Sequence, residues 1–173
     1  AGCAGFETEP SPVQGIRFRM VETNGIRLRV AEAGRGPTVV LAHGWPESWY
    51  SWRHQIPAIA RAGYRVIAPD MRGYGGSDKP PNVEDYDILD TSGDIVGLLD
   101  AYNVERAALI GHDWGAPIVW NSALIDAKRF TAVAGLSIPY LGQGSRPLID
   151  IVGEHFAETG KFFYQLYMQR EGV

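Results

Sequence analysis

The sequence lacks the features that are typical of disulfide-bonded and membrane-spanning proteins. Its 173 residues include a single cysteine, Cys3, so no disulfide can form within the chain. No run of about 18 consecutive apolar residues occurs, which is the length that a membrane-spanning helix needs. Repeats and low-complexity stretches are absent too. With 45% hydrophobic and 21% charged residues, the composition is that of an ordinary globular domain.

An excess of charge of one sign is also missing. Sixteen basic residues stand against twenty acidic ones, and the formal net charge is −4. A concentrated basic surface is what draws proteins to nucleic acids and to anionic membranes. The sequence therefore predicts neither a nucleic acid nor a membrane as partner.

The amino terminus carries no initiator methionine and begins Ala1-Gly2-Cys3. Such a run ends some bacterial lipoprotein signals, but here no apolar region precedes it. We therefore expect a cytoplasmic protein, with an exported or lipid-anchored form as the alternative.

Strands alternate with helices along most of the chain. Residues 16–20 and 26–30 alternate apolar and polar side chains around Asn24-Gly25, a pattern typical of an antiparallel hairpin. Periodicity further predicts strands at 38–42, 65–68, 107–110 and 131–136, and helices at 52–62, 88–102, 114–125 and 156–170. Helices placed between strands indicate parallel β-α-β units, so the expected fold class is α/β with a mostly parallel sheet.

The most informative stretch is a strand, turn and helix at residues 110–115, which read IGHDWG. Gly111 and Gly115 lie two positions to either side of Asp113. Such a turn exposes its central side chain at the top of a sheet in a strained backbone conformation. Esterases carry a serine at this position. An aspartate is instead a suitable nucleophile for a saturated, polarised carbon, with which it forms an alkyl ester.

A second motif follows a buried strand, where residues 43–48 read HGWPES. Together with GHDWG at 111–115 and DMRGYGGS at 70–77, it resembles closely the epoxide hydrolases of the α/β-hydrolase fold. The resemblance implies an N-terminal extension over 1–14, the first part of an α/β-hydrolase core over 15–137 and the start of a helical cap domain over 138–173. Within the glycine-rich loop, Asp70 and Arg72 are expected to stabilise their own loop.

The resemblance assigns roles to the two turns. In this family the HGxP turn supplies half of an oxyanion hole, and the matching backbone N–H belongs to Trp45. The other half is the N–H of Trp114, directly after the nucleophile Asp113. The Trp45–Pro46 peptide bond is expected to be cis. Five residues are then expected to shape the turns: His43, Gly44, Pro46, Gly111 and Gly115.

The resemblance also implies a catalytic tyrosine in the cap. Residues 162–169 read FFYQLYMQ, and we match Tyr164, which precedes a glutamine, rather than Tyr167 to that role. Its phenol would hydrogen-bond the epoxide oxygen and donate a proton as the ring opens. Aromatic side chains at this spacing also serve in helix packing, which is the alternative for Tyr164.

The second step of the reaction has no suitable residue in this sequence. A histidine oriented by a carboxylate must activate water, and in this fold both follow the nucleophile and the cap. Of the four histidines, His43 and His54 precede Asp113. His112 lies inside the elbow, which it is expected to support, and His155 is expected to face solvent at the start of the cap. The chain therefore resembles the first half of an enzyme.

We expect an epoxide hydrolase that converts a mainly apolar epoxide into a vicinal diol with water, using neither metal nor cofactor. The first alternative is a haloalkane dehalogenase, which shares the aspartate elbow and the following tryptophan. Many dehalogenases carry a halide-binding asparagine where this chain has Trp45, which favours the epoxide. The second alternative is a catalytically inactive binding protein of the same fold. The oligomeric state stays open, a homo-oligomer included.

Overall fold

The computed structural model describes residues 13–140, Gly142 and residues 148–160. The chain divides into two compact units, Ala1–Tyr140 and Leu141–Val173.

The described part of the first unit is built on a six-stranded sheet. Its strands are β1 (Arg17–Thr23), β2 (Ile26–Ala33), β3 (Thr38–Ala42), β4 (Arg65–Pro69), β5 (Ala107–His112) and β6 (Phe130–Leu136). The strand order is β1-β2-β4-β3-β5-β6. β2 pairs antiparallel with both β1 and β4, and β4, β3, β5 and β6 run parallel. The predicted α/β class, with its antiparallel hairpin and mostly parallel sheet, is confirmed.

Alternation along the strands divides the core into two apolar clusters, one on each face of the sheet. Val40 and Ala42 of β3 belong to the cluster that includes Ile95 of α2 (Ile88–Ala101) and Val119 of α3 (Gly115–Ile125). The intervening Val39 and Leu41 belong to the cluster that contains Ile56 of α1 (Gln55–Arg61). The helices thereby cover both faces and leave the carboxyl ends of the parallel strands free to carry a site.

The predicted helix at 52–62 is wrong at its beginning. Trp49–Trp52 forms a short 3₁₀ turn, and α1 begins only at Gln55. Pro57 explains the difference. A helix that began at Trp52 would place this proline in its interior, where the missing N–H breaks a hydrogen bond, whereas α1 keeps Pro57 in the first turn.

In the second unit, the predicted helix at 156–170 is wrong at its beginning, and its residues 161–170 lie outside the described residues. The helix α4 spans Leu148–Thr159, so it begins well before Phe156. Gly160 follows it with φ +63°, the left-handed conformation that commonly ends helices. His155 is exposed on α4, as expected. Tyr164 lies outside the described residues. None of the helices in the described part of the chain combines the length and apolar character needed to cross a bilayer.

Candidate active site

Strand register brings the two predicted turns side by side. Ala42, the last residue of β3, pairs with Gly111 of β5, so the turns that follow these parallel strands leave the sheet as neighbours. Asp113 has φ +50°, in the left-handed region that non-glycine residues rarely occupy. It sits between the end of β5 and the start of α3. This is the strained elbow that the motif predicts.

The glycines of the elbow are required by close approach of backbone to backbone. A Cβ at Gly111 would overlap the carbonyl oxygen of Gly115, and a Cβ at Gly115 would overlap the carbonyl oxygen of Ala42. Neither clash can be relieved by turning a side chain, because the obstructing atoms are backbone. The first turn of α3 can therefore lie directly against β3 and β5.

The turn after β3 holds the carboxylate of Asp113. The backbone N–H of Trp45 donates to Asp113 Oδ1 over 2.9 Å, and the Trp45–Pro46 peptide bond is cis as expected. Gly44 lies so close to Asp113 that a Cβ there would overlap its side chain. Within the described residues Asp113 Oδ2 accepts no hydrogen bond. The turn after β3 therefore fixes the position of one oxygen of the Asp113 carboxylate.

Trp114 follows the carboxylate as the residue before α3, with 45% of its surface exposed. No hydrogen bond joins its amide to Asp113 among the described residues, so its role as second oxyanion donor stays a prediction. The N-terminus of α3, which carries the partial positive charge of the helix dipole, begins beside Asp113.

His43 ties the turn after β3 to the loop after β4. Its ring is buried, Nδ1 lies 2.8 Å from the carbonyl oxygen of Gly44, and Nε2 accepts from the N–H of Met71 over 2.9 Å. Because Nε2 is an acceptor, the ring is neutral with its proton on Nδ1. Burial lowers the pKa of His43 below 6.5, against smaller raising contributions from the Gly44 carbonyl, Asp70 and Glu47.

Sequence reasoning missed Glu47. One of its carboxylate oxygens lies 3.1 Å from His112 Nδ1, and the other accepts from the N–H of Gly44 over 3.2 Å. His112 is the last residue of β5, so Glu47 joins the turn after β3 to the elbow. The expected support of the elbow by His112 therefore acts through a partner 65 positions away, which no local pattern indicates.

Asp70 organises the glycine-rich loop as expected. It is buried, and its carboxylate accepts from the backbone N–H groups of Gly76 at 2.9 Å and Trp49 at 3.0 Å. The two contacts hold this loop against the 3₁₀ turn that follows β3. The first of them confirms that Asp70 stabilises its own loop.

Arg72 stabilises the same loop through partners outside it. Its guanidinium leaves the loop and forms a buried bidentate pair with Asp94 of α2, over 2.9 Å from Nε and 2.7 Å from Nη2. Nη1 donates to the carbonyl oxygen of Asp85 over 2.7 Å. Asn24 also donates to the Asp94 carboxylate, at Oδ1, over 3.0 Å. Arg72 therefore fixes the loop to α2 and to the turn before it.

The buried neutral His43 makes stability depend on pH. Well above pH 6.5 the His43 ring is uncharged in both the folded and the unfolded protein, and its contribution to the free energy of unfolding is at its maximum. Below that pH the unfolded chain binds the proton first, because the folded pKa is lower, so the free energy of unfolding falls. The slope contributed by one group reaches at most about 1.4 kcal/mol per pH unit.

We expect His43→Gln to flatten this dependence in urea denaturation of the full-length protein between pH 7.5 and 5. His54→Gln, which removes an exposed histidine, is the matched control and should retain the wild-type slope. A wild-type slope in the His43 variant would contradict the assignment of a neutral ring.

Comparison with known proteins decides the family. Residues 37–171 match the family model described as alpha/beta hydrolase fold. The chain belongs to the α/β-hydrolase family. Over 157 residues it is 55% identical to Epoxide hydrolase A of Mycobacterium tuberculosis (strain ATCC 25618 / H37Rv), a match that covers 90% of this chain and 48% of that protein. It is 47% identical over 149 residues to Bifunctional epoxide hydrolase 2 of Sus scrofa, covering 86% of this chain and 26% of that protein.

Solved structures of similar proteins agree with the fold. The crystal structure of Epoxide Hydrolase A from Mycobacterium thermoresistibile aligns with a TM-score of 0.81 at 54% identity, over 91% of this chain and 50% of that one. The crystal structure of an epoxide hydrolase from Vigna radiata aligns with a TM-score of 0.84 at 41% identity, over 94% of this chain and 50% of that one. The chain spans about half the length of these relatives, and about a quarter of the Sus scrofa protein.

In this α/β-hydrolase the structure brings most of the predicted site residues to one edge of the sheet. The Trp45 amide contacts Asp113, and the glycines and His43 occupy the turns that make this contact. Tyr164 lies outside the described residues, so its place in the site stays a prediction. Within the described residues, no group of three histidine, cysteine or acidic side chains is arranged to hold a metal ion.

Proposed function

We propose that the protein hydrolyses epoxides through an ester formed on Asp113. The observation that carries the proposal is the carboxylate of Asp113, which is anchored at Oδ1 by the Trp45 amide and carries no hydrogen bond at Oδ2 within the described residues. The similarity to proteins named epoxide hydrolases supports the choice of substrate. A mainly apolar epoxide and water are the reactants, and a vicinal diol is the product.

In the first step, Asp113 Oδ2 attacks a ring carbon and the carbon–oxygen bond of the epoxide breaks. The new bond is an alkyl ester, and the electron pair of the broken bond stays on the ring oxygen. Tyr164 donates a proton to that oxygen, which leaves a neutral hydroxyl. The amide that holds Oδ1 restrains the carboxylate throughout, so little reorientation is needed before attack.

In the second step, water attacks the carbonyl carbon of the ester. Oδ1 is then the oxygen that becomes negatively charged, and it already lies on the Trp45 N–H, with the Trp114 amide as the second donor. Collapse of this intermediate breaks the bond between the Asp113 carbonyl carbon and the diol oxygen, which takes up the proton that the base removed from water. The second water proton returns to the Tyr164 phenolate, so the Asp113 carboxylate and the Tyr164 phenol are both restored.

The base that activates water is proposed to come from outside this sequence. His43 uses both ring nitrogens within the loops, and His112 is paired with Glu47. A histidine and an orienting acid from the part of the relatives that this chain does not span would supply the missing function. We also propose that α4, which lies within residues 138–173, belongs to the cap domain that the family resemblance implies.

The substrate test compares 1,2-epoxyhexane with 1-bromohexane on the full-length protein that carries this sequence. We expect diol from the epoxide and no bromide release. Bromide release without diol would favour a haloalkane dehalogenase, and no turnover of either compound would favour a binding protein. Either result would overturn the proposed function.

Within the same assay, Tyr164→Phe should slow ester formation in a single turnover by about 10- to 1,000-fold, because it removes the proton donor. Tyr167→Phe is the matched control from the same segment and should keep the wild-type rate. Equal rates in the two variants would show that Tyr164 does not act as the acid.

A further inference from the structure

A cavity of about 270 Å³ lies beside Asp113 in the first unit. Gly44 and Trp114, which flank the carboxylate, both line it. Protein interiors contain few voids larger than a water molecule. A cavity of about 150 Å³ is enough to take up benzene. The volume therefore suits a hydrocarbon group, and two of its lining residues, Gly44 and Trp114, are direct neighbours of Asp113.

Two charged or ring side chains in the wall, those of His43 and Arg72, are held by partners within the protein. His43 bonds the Gly44 carbonyl and the Met71 amide through its two nitrogens. Arg72 directs its guanidinium to Asp94 and to the carbonyl of Asp85. Both groups are held by the protein and turned away from ligand recognition.

Two of the three hydroxyl groups in the wall, those of Tyr86 and Thr91, are engaged in the same manner. Tyr86 donates to the carbonyl oxygen of Pro80 over 2.8 Å, and Thr91 donates to the carbonyl oxygen of Asp87 over 2.8 Å. Because four polar side chains of the wall already bond within the protein, a polar ligand group entering here would replace only part of its bonds to water, which is costly. An apolar group has no hydrogen bonds to water to give up on entering the cavity, and it gains contact with Met71, Ile88 and Ile118.

We propose that this cavity binds the alkyl or aryl substituent of the epoxide, and that Ile88 limits the size of that substituent. The inference rests on the proposed function and adds a specificity-determining residue to it. Ile118 is packed into the core at 7% exposure, whereas Ile88 is 36% exposed at the start of α2. A larger side chain at Ile88 can therefore fill the cavity without displacing the core.

The test compares 1,2-epoxypropane with 1,2-epoxyhexane on the full-length protein. Each buried methylene should raise kcat/KM about three- to fourfold, so wild type should prefer epoxyhexane by about 30- to 60-fold. Ile88→Phe should reduce this preference by about tenfold or more. Leu89→Phe, which enlarges the next residue on the exposed side of α2, should keep the wild-type preference.

A second readout does not depend on turnover. Binding of 1,2-hexanediol, measured by calorimetry, should be weakened about tenfold or more by Ile88→Phe and left unchanged by Leu89→Phe. A wild-type preference and wild-type diol binding in the Ile88 variant would overturn the inference. So would an equal loss on both epoxides, which would mean that another part of the protein fills the cavity.

The two proposals fail in different ways. If wild type hydrolyses both epoxides but Ile88→Phe leaves the ratio of their kcat/KM values unchanged, the cavity does not bind the epoxide substituent. The proposal of epoxide hydrolysis is then unaffected. If wild type hydrolyses neither epoxide, the function is wrong. In that case diol binding that depends on Ile88 would still support an apolar pocket at this place.

Discussion

Replacing Asp113 by asparagine should lower epoxide turnover by about four orders of magnitude or more, the size of effect seen when a covalent nucleophile is removed. An amide nitrogen or oxygen is too weakly nucleophilic to open the ring, so no ester forms. The side chain keeps its size, and the Trp45 amide can still donate to the amide oxygen. The fold should therefore be retained, and thermal unfolding should show it.

The matched control for this variant is Asp126→Asn. Asp126 lies directly after α3, and its side chain makes no capping hydrogen bond. It should keep wild-type turnover. Asparagine at position 113 can deamidate back to aspartate, so the mass of the purified variant must be confirmed. Near-normal turnover by protein that still contains asparagine at position 113 would refute the nucleophile.

Removing one partner of the buried pair between Arg72 and Asp94 should cost about 3–5 kcal/mol of the free energy of unfolding. The Asp94 side chain is fully buried and that of Arg72 is 4% exposed, so neither charge can turn to water when its partner is lost. Asp94→Ala leaves the guanidinium unpaired between the loop and α2. The same change should loosen the loop after β4, to which His43 is tied through Met71.

The control comes from the same helix. Asp100 pairs with Arg129 at 2.8 Å, but its side chain is 68% exposed. Asp100→Ala should cost about 1 kcal/mol or less, because water replaces the lost partner. Joint replacement of Arg72 by Met and Asp94 by Leu should recover part of the stability lost in Asp94→Ala. If urea denaturation shows the same loss in free energy of unfolding for Asp94→Ala and Asp100→Ala, burial does not determine how much the Arg72–Asp94 pair contributes to stability.

The parts of the site that are local in sequence were predictable from it. The elbow around Asp113 needs glycines at fixed offsets, because strand and helix backbones touch there, and the pattern of 111–115 contains that requirement. Hydrophobic alternation likewise predicted the strands. The contact of Trp45 with Asp113 joins residues 68 positions apart, and the family resemblance indicated it where spacing could not.

The charged partnerships were not predictable in this manner. Arg72 was expected to stabilise its own loop, but its partner Asp94 lies on α2, 22 positions away, and nothing in the sequence indicated that partner. Glu47 was not singled out, although it connects both turns of the site. A long charged side chain can reach many partners, and only the packing of helix against sheet selects one. The start of α1 is different, because Pro57 carried the necessary signal in the sequence itself.

The most direct test of the central claim follows oxygen from water during one turnover. Full-length enzyme in excess over 1,2-epoxyhexane is allowed to react in water enriched in heavy oxygen, and Asp113 and the diol are then analysed by mass spectrometry. Water attacks the ester carbonyl in the proposed mechanism, so the label should enter the Asp113 carboxylate while the first diol carries an unlabelled oxygen from Asp113. Label in the first diol, with none in Asp113, would mean that water opens the ring directly and that Asp113 is not the nucleophile.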